Sequence, residues 1–267
     1  MVVKFERAAS ISRSLVNKLP QSPWSNAPRV TTYTVRLARD AAEIKAAQRL
    51  RFEVFNLELS EGLDTAYLSG LDADPFDDCC DHLLVEDTRL GAVVGTYRLQ
   101  TGRVAAASHG YYSEQEFDFA VFEPIRGETL ELDRACVHKD HRKLAVLNLL
   151  WRGIATYAIE RNARYFIGCS SFTSQDAAAG AALYEKLRAE HLVEERFRTN
   201  PVRTSRIDAA ERRVTPPPVP KLLRAYLSMG AKICGPPALD REFKTIDFLT
   251  LLDIQNLPAA VRNHFFG

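Results

Sequence analysis

The sequence predicts an α/β fold with one mixed sheet, and three observations carry that prediction. Residues 129–190 read as strand, helix, strand, helix, an order that implies a parallel pair joined by a right-handed crossover. Upstream, HLLVED (82–87) and AVVGTYRLQ (92–100) flank a turn at Arg89 to Gly91 and form a hairpin, which makes the sheet mixed. No internal repeat and no second core divides the chain, so residues 31–267 are expected as one domain after an extension over residues 1–30.

Along the chain, residues 2–19 gather Phe5, Ala8, Ser12, Leu15, Val16 and Leu19 near one side of a helical wheel, with Lys4, Arg7, Arg13 and Lys18 mostly elsewhere. That pattern fits a basic amphipathic helix on an anionic membrane surface, or equally a frayed or partner-packed terminus. Pro20, Pro23 and Pro28 break the chain before TTYTVRL (31–37), whose alternation of Tyr33, Val35 and Leu37 marks a first strand. Asp40 with Glu43 three residues later predicts a capping box for a helix running to about Phe55. Leu147, Leu150, Trp151, Ile154 and Ala158 give the helix from about Ala145 to Glu160 its apolar stripe. RYFIGCSSF (164–172) is the following strand, and Ser174 is the expected N-cap of a helix to about Glu190. An arginine-rich segment (196–213) and TPPPVP form a connection, Lys221 to Met229 a short helix stopped by Gly230, and KTIDFLTLLDI (244–254) a last, nearly all-apolar strand.

Charge is balanced, with 35 Lys and Arg against 34 Asp and Glu, so a nucleic-acid partner is not expected and electrostatic function must be local. No apolar run reaches the roughly 18–20 residues of a membrane span, and the start lacks the apolar stretch of a secretory signal. The five scattered cysteines read as reduced thiols, so a cytoplasmic location is expected.

Four stretches carry chemistry. In RFEVF (51–55), Arg51 and Phe55 share a helix face, where an arginine either snorkels out or fixes a carboxylate. DADPFDDCCDHLLV (72–85) places five aspartates before a strand, a cluster suited to a cationic substrate; its spacing builds no calcium loop, and no metal is expected. TLELDRACVHKDHR (129–142) holds Glu131 and Arg134, which face opposite ways in an unbroken strand and serve one site only if a bulge lies between them. Its continuation, from Val137 through Arg142 and Lys143 to a helix start near Ala145, offers unpaired N–H groups to a phosphate. There is neither a P-loop nor a Rossmann fingerprint. Tyr184, in AALYEKL (181–187), is either core or the proton donor to a departing thiolate.

In order, RFEVF, DPFDDCCDHLLV, VVGTYRLQT, GYYSEQEFDF, ELDRACVHKDHR, LLWRGIATYA, GCSSF and PKLLRAYLSMGAKICGPPALDREFKTIDFL resemble the bacterial L-ornithine N-alpha-acyltransferases over roughly residues 33–254. These belong to the Gcn5-related acetyltransferase superfamily and stand close to the acyl-homoserine-lactone synthases. The resemblance implies the Gcn5-related fold: a central, mostly antiparallel mixed sheet flanked by helices and splayed between two central strands to admit a pantetheine arm. It implies transfer of a 3-hydroxyacyl group from acyl carrier protein to the alpha-amine of L-ornithine, giving lyso-ornithine lipid at the cytoplasmic side of the inner membrane. No permanently bound cofactor is expected; the donor's phosphopantetheine arm enters as substrate.

Carried onto this chain, the resemblance implies that Arg51, Phe55, Asp74, Asp77, Arg98, Glu131 and Arg134 line the donor and acceptor pockets, with Ser170 and Ser171 of GCSSF beside them. Glu131 would serve as general base, directly or through water, and Arg51 or Arg98 with Asp77 or Asp81 would meet the charges of ornithine. The superfamily's glycine-containing pyrophosphate loop is replaced by Arg142, Lys143, Leu144, Ala145, Val146 and Leu147, which favours a carrier-protein arm over acyl-coenzyme A. The rivals are an N-acyl amino-acid synthase for glycine or an aromatic acceptor, a lactone synthase using S-adenosylmethionine, and a non-catalytic carrier-binding or acyl-sensing module.

Overall fold

A computed structural model describes residues 32–207 and 214–266. The whole extension over residues 1–30, with its amphipathic segment 2–19, and Arg212 and Arg213 lie outside the described residues. Its strands are β1 (Tyr33–Leu37), β2 (Asp81–Asp87), β3 (Ala92–Thr101), β4 (Thr129–Val137), β5 (Tyr165–Phe172), β6 (Lys232–Ile233), β7 (Ala238–Asp240) and β8 (Thr245–Asp253). The helices are α1 (Ala41–Phe52), α2 (Ala66–Ser69), α3 (Gly102–Ala107), α4 (Leu144–Glu160), α5 (Ala177–His191), α6 (Lys221–Ser228) and α7 (Ala259–Phe265).

All eight strands join one sheet in the order β1, β2, β3, β4, β5, β8, β6, with β7 also on β8. Among the described strands only the central β4–β5 pair is parallel, as the crossover through α4 requires. The hairpin forms as predicted, with Leu83 opposite Tyr97. One face of the sheet packs on α4, where Leu150, Trp151, Ile154 and Ala158 meet Leu83, Tyr97, Leu130 and Val137. The other face is covered by α1 and by short 3-10 turns, whose Phe117, Phe119 and Phe122 pack on Tyr165, Ile167 and Leu249.

Local signals set most boundaries, with three corrections. Asp40 does accept a hydrogen bond from Glu43 N at 3.0 Å, but the Glu43 carboxylate accepts from Arg39 N and from the Arg36 and Arg39 guanidiniums, leaving the capping box half made. Ser174 does not cap α5; its hydroxyl accepts from Asp176 N, and Asp176 is the N-cap, accepting from Ala178 N at 3.0 Å. The predicted extension of α1 to Phe55 continues as a π-turn, Glu53–Glu58, with Leu59 N donating to Val54 O.

Two irregularities at the centre matter for function. The β4–β5 ladder comprises Thr129–Tyr165, Leu130–Phe166 and Glu131–Ile167 and then stops, so the two strands part halfway. Just beyond that point Gly168 crowds β4, since a Cβ there would lie 2.3 Å from Leu132 O. Gly168→Ala is expected to destabilise the protein by about 1–3 kcal/mol, as over-packing does, read as a lower urea midpoint.

The second irregularity is the bulge that parity demanded. Across β3, Thr96 pairs with Cys136 and Arg98 with Asp133, so Arg134 and Ala135 together face Tyr97. Arg134 takes φ +47°, a left-handed conformation unusual for a non-glycine residue. The apolar side chains then run Leu130, Leu132, Ala135, Val137 on the α4 face. Arg134 is thereby turned to the face that carries Glu131 and Asp133.

Candidate active site

Where β4 and β5 part, a cavity passes between them and opens to solvent. Its α4 side is lined by Tyr97, Leu132, Ala135 and Tyr226, and the two tyrosine hydroxyls bond each other at 2.6 Å. Its other side is ionic, formed by Arg134 and Asp133 of β4, Cys169 and Ser171 of β5, Asp240 of β7 and Asp247 of β8, together with Glu61 and Tyr112. Phe55 and Phe243 meet edge to face at 5.7 Å and close that side.

Behind Arg134 stands a buried lattice of charge. Asp74 and Asp77 cap the 3-10 turn Pro75–Asp78 reciprocally, which fixes both carboxylates. Arg51 grips Asp77 through two nitrogens at 2.9 and 2.8 Å and approaches Asp72 at 2.9 Å. Arg98 forks onto Asp133 at 2.9 and 2.8 Å and reaches Asp74 at 2.5 Å. Arg134 completes the set, 2.8 Å from Asp74 and 3.3 Å from Asp72. Burial pushes the Asp74 carboxyl up, but Arg134 and Arg98 outweigh it and hold the group below its ordinary range. Arg134 lies between the rings of Tyr112 and Phe243, at 4.6 and 4.2 Å, and its remaining nitrogen is only 3.4 Å from the Tyr112 hydroxyl.

Glu131 is buried directly beside this lattice. Its carboxylate accepts from Tyr112 N at 2.7 Å and Ser113 N at 2.8 Å. Burial and the Asp133 charge push it up to about 7, against those bonds. Glu131 does not itself line the cavity. Ser113 and Cys169 stand between them: Ser113 N donates to the Glu131 carboxylate at 2.8 Å, and the Ser113 hydroxyl accepts at 3.4 Å from the Sγ of Cys169, which is on the cavity wall.

The structure sorts the sequence-derived candidates. Phe55, Arg134 and Ser171 line the cavity. Arg51, Arg98, Asp74 and Asp77 lie one layer behind it, Arg51 and Arg98 having no meaningful exposure. Ser170 alternates away from Ser171 and is buried without a hydrogen-bond partner among the described residues. Asp81 is not in the site, because its side chain is about half exposed and bonds Tyr157 of α4 at 2.7 Å. Tyr184 is not there either; it packs with Phe172, Leu192 and Leu239 around the core beneath α5.

At the start of α4, Arg142 is bound through both terminal nitrogens to Glu58, at 2.5 and 2.6 Å, and through Nε to Val137 O. Its guanidinium is therefore already matched, unlike the free phosphate ligand that the turn suggested. Lys143 sits at the N-cap position without a side-chain cap, and the Leu144 and Ala145 N–H groups have no acceptor among the described residues.

Sequence reasoning missed Tyr112, Glu116, Asp240 and Asp247. Asp247 carried a usable signal, a lone acid inside the apolar run of β8, which no buried strand tolerates without a use for it. Carboxylate and thiol atoms of Glu116, Cys169 and Asp247 lie within 4.8 Å of one another.

Comparison with known proteins gives the setting. Residues 50–152 match the acetyltransferase (GNAT) domain family. An L-ornithine N(alpha)-acyltransferase of Rhodobacter capsulatus is 35% identical over 88% of this chain and 95% of the relative. One of the same name from Brucella abortus is 34% identical over 89% of this chain and 90% of its own length. The chain belongs to the L-ornithine N(alpha)-acyltransferase family. Among solved structures, the AHL synthase LasI superposes with a TM-score of 0.51 at 13% identity, over 88% of this chain and 95% of that one. The AHL synthase likeness concerns the fold alone, and the splayed sheet described above belongs to a GNAT acyltransferase. No helix among the described residues is long and apolar enough to cross a membrane.

Proposed function

We propose that this member of the family transfers a fatty acyl group, 3-hydroxylated in the preferred donor, from a thioester to the alpha-amine of L-ornithine. The observation that carries the reading is the cavity at the β4–β5 gap, which is apolar on its α4 side and ionic on the other. An acyl thioester meets a zwitterionic amine there without either crossing the other's surroundings.

The donor arm enters from the α4 side, where β4 beyond Glu131 has no ladder partner on β5 and can accept the arm's amides. The Leu144 and Ala145 N–H groups, at the N-terminus of α4, suit one phosphodiester. With Arg142 committed to Glu58 and no glycine in the turn, a carrier-protein arm fits better than the pyrophosphate of coenzyme A. The arginine-rich segment after residue 196 suits an acidic carrier protein, acting at the cytoplasmic face of the inner membrane.

On the ionic side, the unspent Arg134 nitrogen receives the ornithine carboxylate. The alpha-ammonium gives up a proton to Glu131 by way of the Cys169 thiol and the Ser113 hydroxyl, each passing on its own proton as it takes one. The freed lone pair attacks the thioester carbon, the C–S bond breaks as the amide forms, and the thiolate is protonated on leaving. Tyr112, on the cavity wall and held protonated by its burial, is placed for that last transfer.

The test is mass spectrometry of lipids from a host expressing the full chain, together with purified protein supplied in parallel with acyl carrier protein and acyl-coenzyme A donors. N-acylated ornithine, formed faster from the carrier protein, is the expected result. Acylated amines lacking ornithine would overturn the acceptor assignment, and no acylated amine would favour a binding module.

A further inference from the structure

We infer that Glu116, Asp240 and Asp247 form a subsite for the distal ammonium of the acceptor and so select diamino acids over monoamino acids. The inference deepens the ornithine reading and rests on it. The three acids come from separate parts of the chain: the turn after Tyr112–Gln115, β7, and β8. They converge because β7 and β8 pair, with Asp240 opposite Thr245 and Asp247 opposite Ala238, while β5 sets Ser171 opposite Asp247 on the other edge.

Convergence of acids alone would not identify a ligand. The unsatisfied atoms do. Glu116 and Asp247 are 6% and 4% exposed, and Glu116 Oε2 and Asp247 Oδ1 have no partner in hydrogen-bond geometry among the described residues. Buried carboxylate oxygens left in that state are costly unless something occupies them. Asp247 and Asp240 are on the cavity wall, so the occupant enters from the cavity.

A cation suits these acids best, since it brings both donors and the opposite charge. The neighbouring guanidinium, Arg134, turns two nitrogens to Asp72 and Asp74, and no ion pair among the described residues reaches Glu116, Asp240 or Asp247. Burial and the Asp240 charge push Asp247 up to about 6, and burial with Asp247 and Asp240 pushes Glu116 well above its ordinary range. The pair thus holds a proton where a bound ammonium would put its charge. An alkylammonium presents three N–H donors, which matches three convergent carboxyls. With the carboxylate on Arg134, the side chain of a diamino acid points along the cavity towards this cluster, and the alpha-amine is left between them.

The test compares ornithine with 2-aminopentanoate, which has the same carbon chain and no distal amine. For Asp247→Asn and Glu116→Gln, both near-isosteric, the preference for ornithine in kcat/KM should collapse by about 10–100-fold, as expected for a lost charged hydrogen bond. The loss should lie mainly in ornithine KM. Equal losses on both acceptors, or a wild-type preference for 2-aminopentanoate, would overturn the subsite. So would stoichiometric zinc that survives dialysis in the wild type and is absent from Asp247→Asn, since Glu116, Cys169 and Asp247 would then be metal ligands. Calorimetry without a donor separates this idea from the transfer reading. Ornithine bound by the wild type and lost in Asp247→Asn, with no acyl transfer from any donor, keeps the subsite and removes the reaction; no ornithine binding removes the subsite.

Discussion

Replacing Arg98 by methionine is expected to lower the stability of the protein by about 3–5 kcal/mol, the cost of leaving buried charges without their partner. Arg98 is fully buried and is bound to Asp133 by a two-pronged fork and to Asp74 by a third bond. Methionine fills much of the volume but leaves those carboxylates facing each other in a low-dielectric interior. Both must then bind protons or draw in water. Arg98→Lys keeps the charge but cannot fork, so an intermediate loss is expected. The measurement is the urea midpoint at constant slope. A midpoint unchanged in Arg98→Met would mean that water already solvates the lattice, and the structural account of these aspartates would fail.

Glu131→Gln should lower kcat by about 100- to 10,000-fold, the range of general acid–base contributions, while leaving donor binding intact. Glutamine keeps the shape, but its one oxygen accepts only one of the Tyr112 and Ser113 N–H bonds, so the urea midpoint of the variant is measured beside its kcat. What it cannot do is take a proton. Because Glu131 is pushed up to about 7, wild-type kcat/KM should rise with pH as the group ionises through that region. The sign follows from the role: a base works when deprotonated. In the variant this rising limb should be missing. Retained turnover with the limb intact would remove Glu131 from the mechanism.

The fold was largely legible because its signals are local. Alternation marked the hairpin, a helical stripe marked α4, and the order of elements demanded the parallel pair. Even the bulge followed from parity, since Glu131 and Arg134 cannot share a face without one. The roles of Arg51 and Arg98 were less legible. A sequence shows that a charge exists but not which distant charge answers it, and Arg98 meets Asp74 and Asp133 from 24 and 35 residues away. Both arginines were expected at the substrate and instead hold up the wall behind it. Asp81 and Tyr184 lie away from the cavity for a related reason. Each has the right chemistry, but one faces α4 and the other the core under α5. Asp240 and Asp247 escaped notice because β7 is three residues long and β8 reads as plain core.

The place of β8 bears on how the chain matures. Thr129 to Val137 can pair with β3 as soon as both have left the ribosome, since their contacts lie within about fifty residues of sequence. Strand β5, by contrast, waits for β8, about eighty residues later, before its second edge is covered. Loops that long close slowly, and domains form from their N-terminal part first during synthesis. The guanidinium lattice is therefore an early product of folding and the acidic wall a late one. A nascent chain halted before residue 245 would have the arginine side of its site assembled and would lack Asp247 altogether.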